Sequence, residues 1–475
     1  MRRTKIIATI GPASDSPEVL EKMIGTGMDV ARISLAHDRV ERVLERYQMI
    51  RMVAKQSGRS VGILLDLPGP KLRAAPFPGD GVHFATDSSV VMRTGSSSSD
   101  TNVIEVNYEG LVEDIQLGDT LSLGDGTIQL VVEDIRGEAL LTRVTHGGRV
   151  IGRPGVHIPS ERLRTSSPTD DDIEMLQPFL EEGIEMVAIS FVRSGDDVRR
   201  LGTKPTPDGP LIISKIETRG AVENLDSIME ASGAIMVARG DLGVEFPIQK
   251  VPVLQKSIIR QCIAKGLPVI TATQMLESML VSPSPTRAEA SDIANAVFDG
   301  TSAVMLSGET AIGADPPLVV DTMSRITEEA DDGFDHKSWG QLLEEVHLPA
   351  SKEDRSITDA ITMAAWRVAS EKSIAALLCI SGSGRTVRSM ARFRPECPIL
   401  GFSTDPRVLQ QLTLSWGVKV IRSSSTESYE KRVREAIAMS KEHGYVRPGD
   451  VVGVLAGLSQ HSRETDVFRL VTVRE

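Results

Sequence analysis

The stretch LIISKIETRGAVENLDSIMEASGAIMVARGD, residues 211–241, decides the fold. It opens with a short apolar run at 211–217, passes through a helix-like segment at 219–231, and enters a second apolar run at 234–240. A strand, a helix and another strand in about thirty residues make one βα unit and the start of the next. Working outward, similar runs at 5–10, 30–35, 61–67, 186–192, 268–275 and 303–309 bring the strands to eight. Helix-like stretches at 16–25, 39–57, 250–265 and 286–298 lie between them, each starting near Ser, Thr, Asp or Pro. Eight near-continuous apolar strands alternating with helices read as a parallel (β/α)8 TIM barrel.

The third unit is interrupted. After Pro68-Gly69-Pro70 about a hundred residues change to period-two alternation, with runs at 89–92, 103–106, 120–123, 127–133 and 139–144 separated by Gly and Asp turns. This reads as a small all-β insert, with the serine tract 96–99 as a mobile loop tip. An insert on a βα loop stands over the catalytic face of a barrel, which makes it a candidate lid. From about residue 344 a new alternation begins, a helix at 356–371 and strands at 374–380, 398–402, 418–421, 451–456 and 468–473. These point to a doubly wound α/β domain. The expected organisation is barrel at 1–70 and 167–340, β lid at 71–166 and C-terminal α/β domain at 341–475.

Composition narrows the function. The 475 residues carry 53 Lys+Arg against 65 Asp+Glu, a net charge of −12, so neither nucleic acid nor an anionic membrane surface is expected as main partner. The run 6–10 is too short for a secretory leader, and no stretch approaches the roughly 20 apolar residues of a membrane span. Three scattered cysteines, Cys262, Cys379 and Cys397, fit buried small hydrophobes in a reducing compartment, so a cytoplasmic protein is expected.

In a barrel the chemistry stands at the C-terminal ends of the strands. The fifth run ends Ser214-Lys215-Ile216-Glu217, and alternation puts Lys215 and Glu217 on one inward face. The sixth ends Arg239-Gly240-Asp241. Two carboxylates from adjacent strands suit a hard divalent ion, Mg²⁺ or Mn²⁺, that borrows further ligands from a phosphorylated substrate. Lys215 beside them can neutralise charge on a transferring phosphoryl group. Arg32, Thr273 and the pair Ser307 and Glu309 stand at other strand ends, and the amides of Gly240 and Asp241 could hold a carboxylate. The convergence suits a small, doubly anionic substrate.

At this point the text resembles the pyruvate kinase family. The segments that carry the resemblance are TKIIATIGPAS at 4–14, IISKIE at 212–217, MVARGDLGVEFP at 236–247, TATQMLESM at 271–279, PTRAEASDIANAVFDG at 285–300 and VMLSGETA at 304–311. The resemblance spans the chain in the order barrel, inserted lid, C-terminal domain. It implies transfer of the phosphoryl group of phosphoenolpyruvate to ADP, giving pyruvate and ATP. By motif position it also implies that Arg32 holds the phosphoryl group, Lys215 stabilises it in flight, and Glu217 and Asp241 bind the divalent metal. Gly240, Asp241 and Thr273 then receive the substrate carboxylate, Ser307 and Glu309 belong to the proton-delivery region, and His37 and Arg73 face the nucleotide. A homotetramer is expected by the same resemblance.

The chain departs from the family pattern in a few places. Ser34-Leu35-Ala36-His37 replaces the usual Asn-Phe-Ser-His, and Asp66-Leu67-Pro68-Gly69-Pro70-Lys71 replaces Asp-Thr-Lys-Gly-Pro-Glu. The family's potassium site draws oxygens from these positions, so only Asp66 and the shorter Ser34 remain. Lys71 can supply a tethered ammonium there, and an enzyme that does not require K⁺ is expected. In the lid, Gly155-Val156-His157-Ile158-Pro159 stands for Gly-Val-Asn-Leu-Pro, and Arg153 substitutes for a lysine one residue early. In the C-terminal domain the loop Ser381-Gly382-Ser383-Gly384-Arg385-Thr386 can cradle a phosphate and matches the family's effector-phosphate loop. The loop 457–464 differs from the usual Gly-Thr-Thr-Asn. A phosphorylated allosteric effector is therefore expected, its identity open. Two other readings accompany the kinase: a metal-dependent lyase acting on pyruvate-like enolates, and a non-catalytic paralogue that binds metabolites as a regulator.

Overall fold

The computed structural model describes residues 2–475 except 71, 125, 347–355, 425–427 and 459–463, with the backbone alone at 344–346. Eight parallel strands close into a barrel in chain order: Lys5–Thr9, Val30–Ser34, Gly62–Leu67, Met186–Ile189, Leu211–Ile216, Ala234–Ala238, Val269–Ala272 and Ala303–Leu306. The expected barrel runs each contain one of these strands. Their continuous burial follows from being covered on both faces, by helices outside and by one another inside.

Strand parity sorts the interior. Ile7, Val30, Leu64, Met186, Ala188, Leu211, Ile213, Met236, Ala272 and Met305 pack together inside the barrel as an apolar floor. On six of the eight strands the next inward position, two residues on, is polar and rises above that floor. Those positions are Thr9, Arg32, Asp66, Ser190, Lys215 and Ser307. Six polar side chains are thus delivered to one mouth by the backbone period alone.

Between the third and fourth barrel strands lies the β insert, whose six-stranded sheet includes Ser89–Thr94, Val103–Val106, Thr120–Leu123, Ile128–Arg136, Ala139–His146 and Val156–His157. A small second sheet pairs Val82–Phe84 with Gly148–Val150. The insert has its own apolar core, separate from that of the barrel. The serine tract is not a free tip. Ser97 and Ser98 donate their amides to Glu105, and buried Ser99 accepts the Glu105 amide at 3.1 Å, so a carboxylate from the neighbouring strand fixes it.

The C-terminal unit has four parallel strands, Ala376–Ile380, Ile399–Ser403, Val418–Arg422 and Val451–Ala456, and an antiparallel edge strand Val467–Thr472. Its side chains enter the barrel's own cores: Leu414 sits with the interior floor, and Trp366, Val387 and Phe393 join the helix-side core. Gly62 permits the approach, since a Cβ there would meet the Gln410 carbonyl at 2.9 Å. Arg394, 2% exposed, fastens the junction, stacking on Phe334, Trp339 and Trp416 at 4.7–5.2 Å and donating to the carbonyls of Val297 and Thr301. Replacing it with methionine keeps bulk but takes the arginine donor from the Thr301 carbonyl, at a cost of about 1–3 kcal/mol, while the Val297 carbonyl keeps the Gly300 amide. Arg394→Met is expected to lower the thermal unfolding midpoint by several degrees, checked by calorimetry; an unchanged midpoint would contradict this. Cys262 and Cys379 are buried, Cys397 is half-buried, and all three are free thiols. No helix among the described residues is long and apolar enough to cross a membrane.

Candidate active site

The mouth is organised around Lys215. Its Nζ lies 2.8 Å from Glu217 Oε1, 3.7 Å from Asp66 Oδ1 and 2.8 Å from the Ser190 hydroxyl. Burial works against its charge, but Asp66, Glu217 and Asp241 hold the ammonium above the ordinary lysine range. Arg32, on the second strand, reaches the same Asp66 with two nitrogens, Nε at 2.7 Å and a terminal nitrogen at 2.5 Å, and donates to Thr9 Oγ1 at 2.9 Å. Asp66 is therefore shared by two cations, which hold its carboxyl below the usual range in spite of burial. Arg32 is the more exposed partner, 17% against 3% for Asp66.

Glu217 and Asp241 line one cleft of about 90 Å³ between barrel and insert, together with Phe191 and His157. Glu217 is almost wholly buried and is pushed up to about 7, by burial first, with the Asp241 charge adding and Lys215 opposing. Its second oxygen accepts the Phe191 amide at 2.7 Å, which the positive φ of 56° at Phe191 aims inward. Two neighbouring carboxylates, one under-neutralised, are oxygen groups of the kind a hard divalent ion takes. They are a half-shell: among the described residues no three His, Cys, Asp or Glu are placed to enclose an ion. An ion held there would take the rest of its shell from water and substrate oxygens.

Gly240 and Asp241 lie in the first turn of a short helix, Arg239–Glu245, just past the sixth strand. The Gly240 amide donates to Thr273 Oγ1 at 2.9 Å, and Thr273 and Gln274 both hold left-handed backbone, φ 67° and 54°. Two such non-glycine residues in succession are costly, and such conformations cluster at ligand sites. Arg239 locks the loop, donating to the carbonyls of Ala272 and Thr273 and pairing with Asp292 at 2.6 Å.

Other expected residues are placed differently. Glu309 is wholly buried, its carboxylate accepting the amides of Ser307 at 2.6 Å and Leu276 at 3.2 Å; it holds two mouth loops together and stays out of the cleft. Ser307 is half-buried at the rim. His37 is exposed at the mouth's edge. Arg73 and Arg153 come together at the base of the insert, where Arg73 donates to the Arg153 carbonyl at 3.2 Å. Ser34 accepts the Ala36 amide at 3.2 Å, and Lys71 lies outside the described residues. In the C-terminal loop Ser381, Ser383 and Gly384 lead into the helix Arg385–Ala391, with Gly384 at φ 75° and Arg385 exposed. Thr386 departs from the expected cradle: it is buried and its hydroxyl meets Thr465 at 2.5 Å. The companion loop 457–464 falls largely outside the described residues.

Sequence reading missed Ser190 and Thr9, the hydroxyl partners of Lys215 and Arg32. The signal was available, since both are polar residues at inward positions of otherwise apolar strands.

Two family models match, "Pyruvate kinase, barrel domain" over residues 1–320 and "Pyruvate kinase, alpha/beta domain" over 359–471. The chain belongs to the pyruvate kinase family. A pyruvate kinase of Sporosarcina psychrophila is 39% identical over 463 residues, covering 96% of this chain and 78% of that one. One from Clostridium acetobutylicum is 36% identical over the full length of both. The crystal structure of a pyruvate kinase from Cryptosporidium parvum superposes with a TM-score of 0.90 at 33% identity, covering 99% of this chain and 96% of that one. As a pyruvate kinase family member the chain is an enzyme, a phosphotransferase acting between phosphoenolpyruvate and ADP.

Proposed function

We propose that phosphoryl transfer takes place above the Lys215 cluster, with Arg32 and Lys215 on the phosphoryl group and Glu217 and Asp241 holding Mg²⁺ or Mn²⁺. The observation that carries this reading is one ammonium held by Asp66, Glu217 and Ser190 at the barrel mouth, with Arg32 beside it. The divalent ion, when bound, supplies positive charge against the phosphoryl oxygens. Lys215 is tethered on three sides and needs no reorganisation to face charge developing in transfer. Arg32 presents a planar fork to the departing phosphoryl group. Thr273 Oγ1 and the amides of Gly240 and Asp241 are within one loop movement of a substrate carboxylate, the Gly240 amide exchanging its threonine partner for substrate. Ser307 stands nearest to proton delivery at the rim; Glu309 acts on that rim through its two amides. The insert, core-independent and joined through 68–70 and 163–168, serves as lid, carrying Arg73 and Arg153 toward the nucleotide with His37 opposite.

Potassium independence is part of the same proposal. Asp66 is already engaged by two cations, Ser34 Oγ is tied to a backbone amide, and Leu67 and Ala36 bring no side-chain oxygen. A K⁺ ion would need those oxygens in place of its hydration shell. Lys71 is assigned the monovalent charge on sequence alone. The primary test is pyruvate formation from phosphoenolpyruvate, ADP and Mg²⁺ by the purified full chain. A lyase would consume no ADP, and a regulator would make no pyruvate.

A cytoplasmic homotetramer with a phosphorylated effector at 381–386 completes the proposal. Arg385 is exposed at the start of the helix and free to face a phosphate, while Ser381 and Ser383 flank it. Sugar phosphates and nucleotides are expected to shift the phosphoenolpyruvate saturation curve severalfold, within the 5–150-fold range usual for coupled sites. Arg385→Ala should abolish the shift and keep basal turnover. A full screen that moves nothing, or an effect untouched by Arg385→Ala, would remove this assignment.

A further inference from the structure

The helix Arg239–Glu245 is only seven residues, about 10 Å long, and has no side-chain cap at its start. A helix this short has little stability of its own and takes its position from what holds its ends. Its first turn, with Gly240 and Asp241, is held by Arg239 and Thr273 on the barrel. Its last turn is held partly by the insert. Glu245 Oε1 accepts the Ser160 amide at 3.2 Å and lies 3.5 Å from His157 Nε2, and the Glu245 side chain is only 3% exposed. A Cβ on Gly126, in another turn of the insert, would come within 3.7 Å of Val244. From the barrel side Arg219 donates to the Glu245 carbonyl at 3.0 Å and stacks on Phe246 at 4.7 Å. Burial outweighs the pull of Glu245 and Glu161 and pushes the His157 imidazole down.

One carboxylate therefore joins a core-independent β unit to the far end of the helix whose near end carries Gly240 and Asp241. We propose that Glu245 is a positioning residue that reads the closed position of the insert, through His157 and the Ser160 amide, and passes it along the helix to the substrate-carboxylate amides. It touches no reacting atom. With the insert away, the Glu245 carboxylate loses both partners and the last turn of the helix keeps only its Arg219 contact on the barrel. The competent arrangement is then a fraction of the population, and apparent affinity for phosphoenolpyruvate falls by that fraction. The idea rests on the active-site reading above.

The test uses the full-length enzyme with Mg²⁺. Glu245→Ala is expected to raise KM for phosphoenolpyruvate about tenfold while kcat at saturation stays within about twofold. Glu245→Gln, which keeps the acceptor oxygen, should restore a KM near wild type. His157→Leu should behave like Glu245→Ala, and His157→Asn, which keeps an N–H donor, should rescue it. Hydrogen exchange of amides 156–163 supplies a readout that turnover does not: phosphoenolpyruvate with Mg²⁺ should slow it in wild type and not in Glu245→Ala. The inference is overturned if Glu245→Ala and His157→Leu both keep KM within twofold, if the conservative variants fail to rescue, or if exchange is slowed equally in wild type and Glu245→Ala. Should Glu245→Ala fail to fold, the two His157 variants decide by the same criteria. A wild type that makes no pyruvate sinks the active-site reading itself, whereas an active wild type with indifferent variants sinks this inference alone.

Discussion

Replacing Lys215 with methionine is expected to lower kcat by a factor on the order of 10²–10³ or more, with KM for phosphoenolpyruvate changed much less. The size follows from removing one preorganised electrostatic stabiliser at the reacting centre. The direction follows from the geometry: the Lys215 ammonium is the cation nearest both Glu217 and the Ser190 hydroxyl, while ground-state binding keeps Arg32, Thr273 and the helix amides. Methionine fills the space, so a fold defect is not the expected cause of the loss. Loss of the lysine also leaves Glu217 without its cation in a buried site, while Asp66 keeps Arg32, which costs stability if Glu217 stays charged. The thermal midpoint should be measured with kcat. A variant with near-normal kcat would show that the phosphoryl group passes elsewhere.

The second large effect concerns the monovalent cation. Wild-type activity in tetramethylammonium buffer is expected to change by less than about twofold when K⁺ is added. Lys71→Glu is expected to lose tenfold or more without K⁺. A unit charge ~4 Å from an opposite charge is worth about 4 kcal/mol at an effective dielectric of ~20, so even a screened fraction of it accounts for tenfold. The described part of the site agrees in chemistry: Asp66 has Arg32 and Lys215 as partners, and Leu67 and Ala36 carry no side-chain oxygen. Strong K⁺ activation of the wild type would contradict the proposal, and so would a Lys71→Glu variant fully active in potassium-free buffer.

How much of this was legible in the sequence can be argued residue by residue. The barrel was legible because each strand is buried on both faces and reads as an unbroken apolar run, as in Met186–Ile189 and Ala234–Ala238. Lys215 and Glu217 were legible because a charged residue in such a run must have a partner. Ser190 and Thr9 obey the same parity rule, but a hydroxyl in an apolar strand carries no cost that demands attention. The surroundings hidden from the sequence share a cause: hydrogen bonds between segments that no local pattern links. Glu309 is claimed by the Leu276 amide, Thr386 by Thr465, and the serine tract by Glu105. None of these pairings leaves a local trace in the pattern. The short helix Arg239–Glu245 was read as a strand end because Arg-Gly-Asp directly follows an apolar strand with no capping residue between them.

The Lys215 cluster is proposed to move a phosphoryl group from phosphoenolpyruvate to ADP. The direct measurement is quenched-reaction stoichiometry with the purified full chain, phosphoenolpyruvate, ADP and Mg²⁺ in potassium-free buffer, following pyruvate and ATP together in wild type and Lys215→Met. One ATP per pyruvate is expected in the wild type, with a loss of both products together in the variant. Pyruvate formed without ATP, or equal rates from the two proteins, would contradict it.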